Sequence, residues 1–253
     1  MDVLSSTIRE LLVKAEAAYG AQDAFRYKVK NSGEEGKKKA SVEGKSYTTL
    51  KQDSERFSAA LEQLGEQKSH IAILGATSYE WVVAYLGTVN SGSVAVPLDA
   101  QLPTEALCEL LDRADVTTLI FGESKAKVAN AAQEACQGLK HVISMSDESA
   151  VEGAIPLHSL LKEQQPGYDY KPQPEELATI MFTSGTTGKS KGVMLSHRNL
   201  AENATCLDMR IEPGTVIMSV LPIHHAYCLS MDILKALSVG ATICINEIGR
   251  AHV

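Results

Sequence analysis

Residues 70–98 decide the fold, and they run HIAILGATSYEWVVAYLGTVNSGSVAVPL. His70 to Leu74 is a short apolar run typical of a buried strand, whereas the apolar spacing from Tyr79 to Val89 is helical. Ser93 to Leu98 is a second apolar run that contains two valines, which favours another strand. A helix between two buried strands predicts a βαβ unit, in which the two strands lie parallel in one sheet.

The same alternation continues on both sides of this unit. It predicts helices at 5–19, 48–64, 104–114 and 125–136, and strands at 24–29, 41–47, 116–121, 141–145, 177–182 and 241–245. Ser5 or Ser6 is the expected N-cap of the first helix. The predicted fold class is α/β, with a doubly wound, mostly parallel sheet, helices on both faces and an N-terminal β-hairpin. Residues 146–174 hold four prolines and few apolar residues in sequence, which predicts a linker within the domain.

The composition excludes several classes of protein. The chain has 253 residues and a net charge of −7, so it is a poor candidate for non-specific binding to nucleic acid. No apolar run approaches the roughly 18 residues that span a bilayer, and residues 1–12 lack the apolar core of a secretory signal. Five widely spaced cysteines without a CxxC predict buried free thiols rather than disulfides or a zinc site. These observations predict a cytoplasmic protein without a transmembrane segment.

Residues 177–200 carry the chemistry, and they run LATIMFTSGTTGKSKGVMLSHRNL. An apolar strand leads into residues 183–192, which we call the phosphate loop and which combine glycines, hydroxyls and two lysines. Glycine allows backbone N–H groups to approach an anion, hydroxyls donate to phosphate oxygens, and lysine neutralises charge. This combination predicts a site for a polyphosphate.

A P-loop NTPase is the alternative for this segment, and the residues disagree with it. Gly188, Lys189 and Ser190 match the end of the motif GxxxxGK[ST], but Thr183 stands where its first glycine belongs. A P-loop also leads directly into a helix, so that the helix N-terminus faces the phosphates. Here residues 192–195 are β-like, and the next helix is expected to start after Ser196 as N-cap.

Residues 183–199 closely resemble the signature of the adenylate-forming enzymes, which include acyl-CoA synthetases, firefly luciferase and peptide-synthetase adenylation domains. Segments 45–50, 92–99 and 221–227 resemble further motifs of this family in the expected order. The resemblance covers nearly the whole chain and is strongest to the N-terminal portion of long-chain fatty-acid CoA ligases. One departure is Ser190, where many members carry proline.

The resemblance implies one AMP-binding domain portion over residues 1–253. Its expected parts are N-terminal helices and a hairpin (1–66), a βαβ subdomain (67–175), and the phosphate-loop segment with the strands and helices that follow (176–253). Family members are about twice this length. The adenine and ribose motifs and the C-terminal lid with its catalytic lysine have no counterpart here, so the chain is expected to be an inactive part of a longer enzyme.

The resemblance also implies the site residues. The residues expected to hold the β- and γ-phosphates are Thr183, Ser184, Thr186 and Thr187, with Gly185, Gly188 and Gly192 allowing the loop to fold over them. Lys191 is expected to be the main phosphate cation and Lys189 to face solvent. His225 is expected to orient the acid and the α-phosphate, with His224 structural. His197 and Arg198 are expected at the surface.

For six more side chains, a purely structural role is either the alternative or the first choice. Tyr227, Cys228 and Met231 follow the histidines and either begin an acyl-pocket wall or pack in the core. Asp99 is expected to be a turn or N-cap residue. Trp81 and Tyr85 are expected in the core.

The reaction implied by the resemblance is ATP-dependent activation of a carboxylic acid, foremost a fatty acid, to an acyl-adenylate and then to an acyl-CoA. ATP, Mg²⁺ and coenzyme A are the expected small molecules, with Mg²⁺ held by phosphates and no metal ligand expected within the chain. Two alternatives remain open. One is an adenylation domain that activates an amino acid or an aryl acid, and the other is a nucleotide-binding module without catalysis.

Overall fold

The computed structural model describes residues 5–32, 38–183 and 190–245. The helices are α1 (Ile8–Tyr19), α2 (Tyr47–Gln63), α3 (Tyr79–Asn90), α4 (Thr104–Arg113), α5 (Ala126–Ala135), α6 (Leu157–Glu163), α7 (His197–Cys206) and a π-helix (Cys228–Lys235) that continues as an α-turn (Ala236–Ser238). The strands are β1 (Asp23–Ser32), β2 (Lys38–Ser46), β3 (His70–Leu74), β4 (Val94–Leu98), β5 (Val116–Phe121), β6 (His141–Ser144), β7 (Ile155–Pro156), β8 (Leu177–Thr183), β9 (Lys191–Ser196), β10 (Val216–Ser219) and β11 (Thr242–Ile245).

A seven-stranded sheet in the order β7-β6-β5-β3-β4-β8-β9 forms the centre of the molecule. All neighbours in it are parallel except β9, which runs antiparallel to β8. Strand β3 pairs with β4 in the register His70↔Val94, so the predicted βαβ unit is confirmed. Apolar cores lie on both faces, one against α1, α2 and α3 and the other against α4 and α5. This arrangement confirms the predicted doubly wound α/β class.

The central strands are apolar along their length because helices cover both faces of the sheet. Every residue of β4 is buried, and four of the five residues of β3 are. Helix α3 is enclosed almost completely, with Trp81 and Tyr85 fully buried as expected. By contrast, α4 is amphipathic and buries only one stripe of leucines.

A second sheet of four strands, in the order β10-β11-β1-β2, was not predicted. The predicted hairpin is confirmed as the antiparallel pair β1 and β2. Strand β1 also pairs in parallel with β11, in the register Phe25↔Ile243, and β11 pairs with β10. Periodicity reports only local structure, so a pairing between the two ends of the described chain leaves no signal in it.

Three local expectations were wrong. Helix α1 begins at Ile8, because the side chain of Thr7 accepts a hydrogen bond from the Glu10 amide, and Ser6 instead bonds the Glu10 carboxylate. The segment 146–174 contains β7 and α6, which buries Leu157, so it is not simply a linker. The cysteines are free, but they are not all buried, since Cys206 is exposed.

Candidate functional site

The carboxyl ends of the parallel strands β3, β4 and β5 lie together at one edge of the seven-stranded sheet. The connection after β3 passes through α3 on one face towards β4, and the connection after β5 passes through α5 on the other face towards β6. The two connections therefore diverge between β3 and β5. In doubly wound sheets ligands bind outside the carboxyl ends of the strands at such a switch point.

Residues 221–225, which we call the histidine segment, contact the ends of both strands. The Thr77 hydroxyl, just after β3, donates a long hydrogen bond of 3.5 Å to the carbonyl oxygen of Leu221. Nε2 of His224 lies 3.6 Å from Oδ1 of Asp99, the first residue after β4. The histidine segment therefore lies across the carboxyl ends of β3 and β4, where the sequence motif alone could not place it.

Asp99 and His224 form a partly buried pair at this edge. The Asp99 carboxylate also accepts a 2.8 Å hydrogen bond from the Gln101 amide, which confirms its predicted turn role. The His224 side chain is only 12% exposed. Burial lowers the pKa of His224 below 6.5, the Asp99 carboxylate opposes this shift, and the neighbouring His225 adds to it. These surroundings therefore favour the neutral form of the His224 ring.

His225 differs from His224 in its surroundings. Its side chain is exposed, and the two imidazole centroids are 4.3 Å apart. The His225 amide donates to the Pro222 carbonyl at 3.0 Å, and its own carbonyl accepts from the Leu229 amide at 3.1 Å. These backbone bonds hold His225 at the start of the helical segment, next to the π-helix, and present its imidazole on the surface.

Strands β8 and β9 carry the two ends of the phosphate loop. The register Ala95↔Thr179 places β8 parallel beside β4, so both strands end at the same edge of the sheet. Thr183 ends β8, and it pairs with Lys191, which begins β9. The predicted phosphate-binding residues between them lie outside the described residues: Ser184, Gly185, Thr186, Thr187 and Gly188. Lys189, which was expected to face solvent, lies outside them as well.

The described ends of the loop fit a site for an anion. Lys191 is exposed, and no described residue forms an ion pair with it. Thr183 is also exposed, with its hydroxyl 3.5 Å from the Lys191 carbonyl. Gly192 faces Phe182 across the strands, and a Cβ there would lie 3.1 Å from Cγ2 of Ile180. The close approach of the Ile180 side chain to the backbone at 192 therefore favours glycine there, in addition to any role in the loop.

An open cavity of about 510 Å³ lies between β9, α7 and the start of the π-helix. Its wall includes Leu195, Leu200, Tyr227 and Met231. Of the three predicted pocket residues, Cys228 is outside this wall. It is buried, and its thiol donates to the Leu221 carbonyl at 3.3 Å, which ties the histidine segment to the π-helix.

His197 was expected at the surface, and this expectation was wrong. It is the first residue of α7, and its side chain is fully buried. Neither of its ring nitrogens has a hydrogen-bond partner among the described residues. Burial lowers the pKa of His197 to about 4, against the opposing effect of the Glu176 carboxylate.

The helical period could have revealed the position of His197. It shares one face of α7 with Leu200, Ala201 and Ala204, all of which are buried. The adjacent Arg198 is exposed as expected, and it bonds the carboxylates of Glu175 and Glu202. The N-cap expected at Ser196 is confirmed, with a capping box to Asn199.

A sequence model of the AMP-binding enzyme family matches residues 28–251. The chain belongs to the AMP-binding enzyme family. It is 31% identical over 205 residues to rat long-chain-fatty-acid–CoA ligase 5, a match that covers 72% of this chain and 30% of the relative. It is 30% identical over 213 residues to potato 4-coumarate–CoA ligase 2, covering 79% of this chain and 38% of the relative. The resemblance inferred from the motifs is confirmed.

Solved structures of family members share this fold. The inhibitor-bound N-terminal domain of FACL13 from Mycobacterium tuberculosis superimposes with a TM-score of 0.78 at 20% identity. The superposition covers 97% of this chain and 57% of that one.

This AMP-binding chain spans about a third of the length of each of the two curated relatives. No helix in the described parts of the chain is long and apolar enough to cross a membrane.

Proposed function

We propose that this chain supplies the phosphate- and acid-binding part of an enzyme that activates a carboxylic acid with ATP and transfers the acyl group to coenzyme A. The observation that supports it is the meeting of two motifs at one sheet edge. The phosphate loop begins where β8 ends, beside β4. The histidine segment lies across the neighbouring ends of β3 and β4. Membership of the AMP-binding enzyme family supports the proposal that this edge binds a nucleotide.

In the first step, a carboxylate oxygen of the acid attacks the α-phosphorus of ATP, and the bond to pyrophosphate breaks. Both reactants are anions, so charge neutralisation and positioning are the main tasks of the protein. Lys191 suits this task because its ammonium is exposed and has no carboxylate partner among the described residues. We assign the β- and γ-phosphates to Lys191, Thr183 and the loop residues between them.

His225 is our choice for orienting the acid and the α-phosphate. Its exposed imidazole can donate to an anionic oxygen, and its backbone bonds hold it in the segment that contacts the ends of β3 and β4. The described residues contain no group of three side chains that could hold a metal ion. A magnesium ion here therefore fits as an ion held mainly by the phosphate oxygens of the nucleotide, which is its usual mode.

We assign the acid to the fatty class. The cavity beside the histidine segment has a largely apolar wall that includes Leu195, Leu200 and Met231, and it suits an acyl chain. The rat relative carries a long-chain-fatty-acid name. An aryl acid is the second candidate, because the potato relative is named for 4-coumarate and Tyr227 offers a ring at the cavity.

Two measurements test the proposal on the chain as it exists. The first is MgATP affinity by titration calorimetry, for which we expect binding that weakens about tenfold in Lys191→Ala, equivalent to roughly 1.4 kcal/mol. The matched control is Lys127→Ala, which removes an exposed lysine on α5 and should leave the affinity unchanged. A chain that binds no MgATP, or that binds it equally well in both variants, contradicts the proposal.

The second measurement is pyrophosphate release with ATP, Mg²⁺ and coenzyme A, using acids from acetate to palmitate and 4-coumarate. We expect no release, because we propose that the chain is an incomplete part of the enzyme. Acid-dependent release would show that the chain is active alone, and the preferred acid would separate the fatty from the aryl candidate.

A further inference from the structure

Arg113, the last residue of α4, reaches from one face of the sheet to the end of the phosphate loop. Its Nη2 donates a 2.8 Å hydrogen bond to the carbonyl oxygen of Ser190, the residue just before β9. Its guanidinium carbon lies 5.7 Å from the ring centroid of Phe182, near the end of β8. The Arg113 side chain therefore contacts both β8, which leads into the loop, and Ser190, which precedes β9 at the other end of the loop.

The guanidinium is oriented by its own helix. Nη1 of Arg113 lies 3.4 Å from Oε1 of Glu109, one turn earlier on α4. The planar guanidinium can stack on Phe182 with its face while its edge donates to Ser190 and Glu109. A lysine ammonium has no flat face to stack, so it cannot reproduce all three contacts.

We propose that Arg113 is a positioning residue for the phosphate loop, a role that rests on the proposed binding of ATP by that loop. It holds the Ser190 carbonyl against the Phe182 side of the sheet, and so sets the point from which Lys191 begins β9. Arg113 acts through Ser190 and Phe182 and does not itself bind phosphate. Replacing Arg113 leaves Lys191 and its charge unchanged, but it removes one constraint on the position of the Lys191 ammonium.

Hydrogen exchange tests the constraint without any ligand. We compare the wild-type chain with Arg113→Ala, Arg113→Lys and the control Arg198→Ala, which removes an exposed arginine that also bonds glutamates. The expected result is at least fivefold faster exchange of the amides of residues 191–193 in Arg113→Ala, a smaller increase in Arg113→Lys, and no change in Arg198→Ala. Unchanged exchange in Arg113→Ala overturns the proposal. Circular dichroism and the thermal midpoint confirm that each variant is folded.

MgATP affinity, measured on the same variants, tests the consequence. We expect the dissociation constant to rise three- to tenfold in Arg113→Ala and to stay unchanged in Arg198→Ala. Faster exchange with unchanged affinity overturns the positioning role. A wild-type chain that binds no MgATP contradicts the proposed function instead, while the exchange result still decides whether Arg113 fixes the end of the loop.

Discussion

Nε2 of His224 lies 3.6 Å from Oδ1 of Asp99, so a side chain of the histidine segment meets the first residue after β4. Burial and the nearby His225 lower the pKa of His224, while the Asp99 carboxylate opposes the shift because it stabilises the protonated ring. Removing that carboxylate leaves the two lowering effects unopposed. We therefore predict that Asp99→Asn lowers the pKa of His224 further.

NMR titration of the imidazole C–H resonances measures this pKa, with His224→Gln to assign the signal. The wild-type midpoint should lie below 6.5, and the Asp99→Asn midpoint should be lower still. Asp169→Asn, which removes an exposed carboxylate on another part of the surface, is the matched control. A midpoint that rises or stays the same in Asp99→Asn would show that the pair has no electrostatic coupling.

A second prediction concerns Tyr85 and Thr179, whose hydroxyls are 2.9 Å apart and fully buried between α3 and β8. Thr179→Val leaves the Tyr85 hydroxyl without this partner in the core, and we expect a loss of about 1–3 kcal/mol in the free energy of unfolding. The double variant Tyr85→Phe/Thr179→Val removes both polar groups, so it should be closer to the wild type than the sum of the single variants. Urea unfolding of the four chains measures the coupling, and purely additive effects would exclude it.

The central sheet was predictable, apart from β7, because its other strands leave a signal in local sequence. The apolar runs of β3, β4 and β5 are almost entirely buried, and each is followed along the chain by a helix with apolar residues at helical spacing. The second sheet was not predictable from the same evidence. It depends on the pairing of Phe25 with Ile243, which only the folded chain brings together.

The sequence motif proposes residues for the candidate site and does not predict the contacts around them. It names Thr183, Lys191 and His225, but nothing in it indicated that Asp99 meets His224 or that Arg113 reaches Ser190. Both contacts join elements from different parts of the chain. The π-helix after the histidine segment was also missed, since its apolar spacing resembles that of an ordinary helix.

The third prediction ranks the cysteines by their reactivity towards an aromatic disulfide reagent at pH 8. Burial, with the adjacent Cys108 thiol adding to it, raises the pKa of Cys136 to about 12, and burial raises the pKa of Cys228 to about 11. At pH 8 only a small fraction of the Cys136 and Cys228 thiols is ionised, and only the thiolate form reacts with the reagent. The exposed Cys206 should therefore react first, and Cys206→Ser should abolish the fast phase. A fast phase that persists in Cys206→Ser and disappears in Cys228→Ser would contradict the ranking.

The last prediction concerns His197, which is fully buried without hydrogen-bond partners for its ring nitrogens among the described residues. Burial lowers its pKa from 6.5 to about 4, so the folded chain resists protonation in a range where the unfolded chain accepts it. The contribution of His197 to stability is therefore complete above pH 6.5 and is lost as the pH falls from 6.5 towards 4. Between pH 7.5 and pH 5 this loss amounts to about 2 kcal/mol in the free energy of unfolding.

Urea unfolding at pH 7.5 and pH 5 measures this contribution. His197→Leu removes the titrating group, so its stability should fall by about 2 kcal/mol less than that of the wild type between the two pH values. Leu200→Ala is the matched control, because it weakens the same buried face of α7 without removing a titrating group. It should lower stability equally at both pH values and keep the wild-type difference. If His197→Leu kept the full wild-type difference as well, the acid sensitivity would have to come from other groups, and His197 would not be buried in its neutral form.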